Sequence, residues 1–339
     1  MKKNALLVSL LIGGILTTPA IAANEELNIY SARHYQTDED LYGEFTKQTG
    51  IKVNRIEAKE DELIERMRTE GENSPADIFI TVDASRLGNA DRMGLFAEFQ
   101  SDVIDERIPE NMRTPTWIAF SKRARVIIYN PELVDGEDVQ TYADLADPKL
   151  KGKVCTRTGA HPYNLSLGSA LIHHEGAEAT EKWAEGIVAN FARDPKGGDT
   201  DQIRSVAAGE CGVAIANSYY YARLMNSDRT QDQEVVEETE FVWPNQETWG
   251  THVNVSGAGI VKTAPNKEAA QKFLEYLTSD SAQAYFANGN NEWPVVLDVK
   301  VENPALEALG EFKQDEMPIS ELANNVPEAQ KIYDRAGYR

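Results

Sequence analysis

LNIYSARHYQTDEDLYGEFTKQTGIKVNRIEAKEDELIERMRTEGENSPADIFITV, residues 27–82, decides the fold. Leu27 to Ser31 reads as a strand. Thr37 caps a helix whose Leu41 and Phe45 stand four apart on one face, and Gly50 ends it. Ile51 to Ile56 is a second strand. A helix from Asp61 to Glu70 turns Leu63, Ile64 and Met67 inward and stops at Gly71. Ala76 to Val82 is apolar apart from Asp77 and Thr81, as a buried strand is. Strand, helix, strand, helix, strand is the order of a parallel sheet covered on both faces, so the class is α/β.

Working outward, the pattern restarts. Arg125 to Tyr129 and Gly152 to Thr156 read as strands, followed by helical stretches at Asn164 to His173 and Glu178 to Ala189. Asp199 or Thr200 caps a helix to Gly209, and Gly212 to Ala216 follows as a strand. Thr251 to Val261 is long, β-rich and dotted with small residues. Helices run from Asn266 to Leu277 and from Ser281 to Asn288. Two α/β segments, each left by a long strand, predict two lobes joined near Arg125 and near Thr251. Residues 23–124 with 250–295 are expected to form the first lobe, and 125–249 with 296–339 the second.

The 339 residues are enough for two such cores. Lys and Arg number 34 against 55 Asp and Glu, a formal charge of -21. A nucleic-acid partner needs a basic footprint, and an anionic membrane surface needs one too, so both are excluded. An acidic surface suits a cationic ligand. Lys2 and Lys3, the apolar run Leu6 to Leu16, and Ala20 and Ala22 before a cleavage point form a secretory signal over residues 1–22. The run is too short for a membrane span. The chain is therefore expected in the periplasm, cut near Ala22. An exported chain permits a disulfide, and Cys155 and Cys211 are the two cysteines. Their strand-like stretches could be neighbours, so a bridge and two separate buried thiols both stay open.

Enzymatic chemistry finds little footing. His173 and His174 precede Glu175, but Glu178 stands where an HExxH zinc motif needs its second histidine. Before Gly176 they suit a helix C-terminus instead. No nucleophile elbow, phosphate loop or calcium loop is present. The tyrosines say more. Tyr35 follows the first strand, Tyr163 lies at a helix start, and Tyr219, Tyr220 and Tyr221 follow the strand ending at Ala216. Ligands of open α/β sheets bind beyond the carboxyl ends of strands, where all three groups fall. A single tyrosine there more often packs with its hydroxyl in water. Three in a row at a helix start are about 100° apart, so two phenols can reach one point, and Tyr221 is expected to pack. Crowded phenolates need a highly charged cation to expel their protons. A hard anionic oxygen suits Fe(III) better than zinc or copper.

With these residues in view, the chain resembles the periplasmic ferric-ion-binding proteins that feed ABC iron transporters, most closely their tyrosine-rich, FutA-like branch. The likeness runs through LNIYSARHY (27–35), SPADIFITVD (74–83), KRARVIIYN (122–130), ADPKLKGKV (146–154), NSYYYARL (217–224) and GTHVNVSGAGIVKTAPN (250–266). It implies a type II periplasmic-binding-protein fold with the metal between two lobes. It implies His34, Tyr35, Tyr163, Tyr219 and Tyr220 as iron ligands. Val82 stands where other relatives carry a Glu, so a carboxylate ligand is not implied. Arg33, Arg123 or Arg125 are implied as nearby positive charge, and a synergistic anion is left open. The resemblance implies a monomer that delivers Fe(III) to an inner-membrane ABC permease, with no reaction catalysed. The alternative is a binding protein for an organic cation such as a polyamine, with Asp83 as its one placeable acid. A periplasmic metal-dependent hydrolase is a third reading, and it lacks both an evident open coordination position and a base.

Overall fold

The protein is described by a computed structural model covering residues 25–33, 35 and 37–339. The signal segment 1–22 and His34 lie outside the described residues.

The first unit builds as its pattern dictates. β1 (Glu26–Ser31), α1 (Asp38–Thr49), β2 (Lys52–Glu57), α2 (Glu60–Glu70) and β3 (Ile78–Thr81) follow in order. β1 pairs in parallel with both β2 and β3. α1 closes on Gly50 at φ 76°, a left-handed turn that glycine adopts without strain. Next come α3 (Ala84–Arg92), α4 (Asp102–Arg107) and β4 (Trp117–Tyr129). The second unit holds β5 (Val154–Cys155), α5 (Pro162–Glu175), α6 (Ala177–Ala189), α7 (Asp199–Ala207), β6 (Val213–Asn217), α8 (Ser218–Met225), α9 (Thr230–Glu237) and β7 (Glu240–Val242). The chain continues through β8 (Val253–Ile260), α10 (Lys267–Leu277), α11 (Asp280–Asn290), β9 (Trp293–Pro294), α12 (Pro304–Leu309) and α13 (Ile319–Ala336).

The strand order is β2-β1-β3-β8-β4-β6-β5, with β7 and β9 also on β4. β4 serves both units. Its residues 117–124 pair antiparallel with β8, and Arg125 to Tyr129 pair with β6. Only the second half, Arg125 to Tyr129, was legible as a strand. The first half ends in Ser121, Lys122 and Arg123, whose polarity hides the period. β8 needs its small residues. A Cβ on Gly257 would meet Leu87 Cδ1 and the Ile118 carbonyl oxygen at 2.5 Å, and one on Gly259 would meet the Phe96 ring at 2.7 Å. Helix and strand therefore press directly on this backbone.

One core gathers Leu27, Ile29, Phe79, Ile118, Phe273 and Phe286 around the first unit. Another gathers Ile127, Trp183, Val213, Ile215 and Tyr333 around the second. Cys155 and Cys211 form a disulfide, with Cα atoms 5.8 Å apart, made possible because β5 lies parallel to β6. The stretch beyond Asn288 carried no expected element, yet α13 runs 18 residues and packs on α5, α6 and α3. Pro327 inside it masks the helical signal.

Candidate metal centre

Three corners of the chain converge where strands give way to loops or helices. The first follows β1. There the Arg33 guanidinium is buried, with Asp38 at 2.7 Å, Glu292 at 2.9 Å and Ser256 at 2.7 Å. Burial disfavours its charge, but Glu292 and Asp38 outweigh that and push its pKa up. The guanidinium lies 4.3 Å from the centre of the Tyr35 ring and so fixes that side chain from beneath.

The second corner is the start of α5. His161 is the residue before the first turn, and Pro162 occupies the first helical position, where a missing N–H costs nothing. Nδ1 of His161 accepts from the Tyr163 N–H at 3.2 Å, and the two rings meet edge to face at 4.4 Å. One histidine therefore both caps the helix and holds the phenol. Since Nδ1 is an acceptor, the ring proton sits on Nε2. Burial, then Arg157, Arg125 and Arg86, push the His161 pKa down to about 3, which keeps the ring neutral.

The third corner is the junction of β6 and α8. Tyr219 is buried and Tyr220 half-buried, and their rings lie 4.2 Å apart. Arg223, one turn on, sits 5.7 and 5.6 Å from the two ring centres. Tyr221 turns away. It packs on Phe241, and its hydroxyl donates to the Thr239 carbonyl oxygen at 3.1 Å.

The second and third corners touch: the hydroxyls of Tyr163 and Tyr219 are 3.2 Å apart. Burial pushes the pKa of Tyr35, Tyr163 and Tyr219 above the ordinary phenol value. After burial, Glu292 and then Tyr163 raise Tyr35, and Tyr220 raises Tyr163. Tyr35, Tyr163 and Tyr220 all raise Tyr219. The four phenols thus share one electrostatic neighbourhood, in which each ionisation opposes the next.

Arg123 works the other way, favouring the phenolates of both Tyr35 and Tyr163. Its guanidinium is buried, reaches Ser256 only at 3.4 Å, and leaves Nη2 without a partner among the described residues. Arg125 is more fully engaged: it donates to Asp199 at 2.5 Å, Asn164 at 2.7 Å and Asn217 at 3.2 Å, and only its Nε lacks a partner among the described residues. Among the described residues no three His, Cys, Asp or Glu side chains converge as a metal site. The oxygen donors gathered here are tyrosines.

Of the residues singled out from sequence, the structure brings Tyr35, Tyr163, Tyr219 and Tyr220 into one region, while His34 lies outside the described residues. Asp83 is buried and spent on the backbone N–H of Ser85 and on Asn254, capping α3, so it is not a free cleft acid. His174 ends α5, where its Nε2 lies 2.9 Å from Asp315 and its ring stacks on Trp249. Sequence reasoning missed His161, Arg157, Arg223 and Glu292. His161 alone left a signal, since a side-chain acceptor before a helix-opening proline is where a cap belongs.

The bacterial extracellular solute-binding protein family model matches residues 30–284. "Iron uptake protein A1" of Synechocystis sp. is 48% identical over 93% of this chain and 88% of its own. A Trichodesmium protein (IdiA, FutA), solved in complex with iron and citrate ligands, is 49% identical and superposes with a TM-score of 0.89, covering 93% of this chain and all of that one (100%). The ferric binding protein of Campylobacter jejuni is 42% identical with a TM-score of 0.86, covering 92% and 100%.

Proposed function

This chain belongs to the bacterial extracellular solute-binding protein family, and from that premise we propose that it captures Fe(III) in the periplasm and delivers it to an ABC-type inner-membrane importer. The observation that carries the reading is the 3.2 Å contact between the Tyr163 and Tyr219 hydroxyls inside a cluster of four phenols. Neutral phenols have no reason to gather at a cleft; phenolates around a hard trivalent ion do.

We assign Tyr35, Tyr163, Tyr219 and Tyr220, with His34, as the iron ligands. Four phenolates around a trivalent cation leave one surplus negative charge. Arg123, buried with an N–H group unspent among the described residues, is placed to balance it. Tyr35 follows β1, and the other three phenols belong to the unit built on β6. We take residues 23–124 with 250–295 as one lobe and 125–249 with 296–339 as the other, hinged on β4 and β8, so that closure completes the shell. We infer that residues 1–22 are removed near Ala22. The closed monomer then docks on its permease, and reopening releases the ion. No bond of the cargo is made or broken beyond coordination, so the protein is a carrier and not an enzyme.

The test is to load the purified protein from ferric citrate at neutral pH and record metal content with a visible spectrum. A phenolate-to-iron charge-transfer band at one iron per chain is expected. Colourless, iron-free protein, or tight binding of spermidine instead, overturns the reading.

A further inference from the structure

Neighbours on a strand point to opposite faces. Arg123 faces the phenols, so Lys122 faces the back of the crossing strand β4. There a groove of about 670 Å³ opens, within the size range of small-molecule sites. Trp293, which pairs with Lys122 in the sheet register, lines it together with Phe312. The two rings stand edge to face at 5.5 Å. Leu306 adds apolar surface.

Lys122 is the anomaly of this groove. Among the described residues its Nζ makes one hydrogen bond, to Gln314 Oε1 at 2.7 Å. Among the described residues no carboxylate pairs with it, and burial alone pushes its pKa down to about 8. A half-buried ammonium without a counter-charge among the described residues is unfavourable, so an anionic group from outside would find a vacant partner. Glu307 and Glu311 line the same groove on its exposed side. The order is therefore a cation within, an aromatic wall, and carboxylates at the rim.

We propose that this groove binds an apolar α-amino acid as a zwitterion: its carboxylate on Lys122, its ammonium toward Glu307 and Glu311, and its side chain against Trp293 and Phe312. A simple amine would be repelled by Lys122, and a simple carboxylic acid by the rim. The site lies across β4 from the phenols, and the proposal stands apart from the iron reading.

The experiment uses purified iron-free protein, titrated with L-phenylalanine and followed by tryptophan fluorescence and calorimetry. Two truncated probes run beside it: 3-phenylpropionate, which lacks the ammonium, and 2-phenylethylamine, which lacks the carboxylate. L-Phenylalanine should bind saturably, with each truncated probe weaker by roughly tenfold or more. Lys122→Met should lose about as much. The double variant Glu307→Gln/Glu311→Gln changes only exposed side chains, so folding is not at stake. It should weaken L-phenylalanine and leave 3-phenylpropionate unchanged or tighter. Absence of saturable L-phenylalanine binding, equal binding of either truncated probe, or wild-type affinity in the double variant overturns the proposal.

Discussion

The hydroxyls of Tyr163 and Tyr219 meet at 3.2 Å although the residues stand 56 positions apart and open two different helices. Two neutral phenols so placed share one hydrogen bond; a metal replaces both protons. Burial and mutual repulsion hold Tyr35, Tyr163 and Tyr219 above the usual phenol pKa, so all three are protonated at pH 7 in the iron-free protein. Each that ligates must then release a proton. Affinity should fall as pH falls, by roughly one log unit per pH unit for each phenolate formed. Calorimetry in buffers of different ionisation enthalpy counts the protons. A release below two would mean the phenols do not ligate.

The three consecutive tyrosines should separate cleanly. Tyr219→Phe removes a hydroxyl from the cluster and should abolish the visible band. Tyr221→Phe removes only the bonds to Thr239, at 3.1 and 3.2 Å, and should keep the band while costing about 1 kcal/mol of stability. A lost band in Tyr221→Phe would show that the helix had been read in the wrong register.

The sequence carried the alternation of β1 to β3 because each element is locally consistent: apolar at its own period, with α1 stopped by Gly50 and α2 by Gly71. It carried Tyr35, Tyr163, Tyr219 and Tyr220 as candidates because each follows a strand, which is where open sheets place ligands. It did not carry Glu292, which reaches Arg33 across 259 positions and has no local signature. Arg223 was hidden for another reason: an arginine one turn past a tyrosine is ordinary on any helix surface. α13 was lost because Pro327 and a polar face conceal its contacts, and the packing on α5, α6 and α3 sustains it.

The disulfide offers a test of the second unit alone. Cys155 and Cys211 close a loop of 56 residues, for which chain entropy predicts a stabilisation of about 4 kcal/mol. Replacing both by Ser should lower the denaturant midpoint by a corresponding amount. Both sulfurs pack in a small cluster of their own with Val206 and Ala214, so iron-loaded colour should survive wherever the variant remains folded.

His161 holds Tyr163 in two ways, and variants can part them. Asn at this position keeps a helix cap but no ring; Phe keeps a ring but no cap. Asp or Ser caps are worth about 1 kcal/mol, and Asn is comparable. His161→Asn should therefore preserve stability while the unsupported Tyr163 ring broadens or shifts the charge-transfer band. His161→Phe should do the reverse, losing stability with the band little changed. The same loss in both variants would mean that cap and ring do not act separately.

Arg123 should weigh on iron more than on stability. Among the described residues its guanidinium reaches Ser256 at 3.4 Å and its Nη2 has no partner, so replacing it by Met forfeits little bonding there and relieves a buried charge. Its charge nevertheless favours the phenolates of Tyr35 and Tyr163. Removing it raises both pKa values, so at any pH below them more work is needed to expel the protons. Arg123→Met should thus bind iron more weakly at pH 7. The pH at which half the iron is lost should move upward, while the melting temperature of the iron-free protein stays level or rises. A variant that melts lower yet holds iron as tightly would show that Arg123 supports the fold and not the charge of the site.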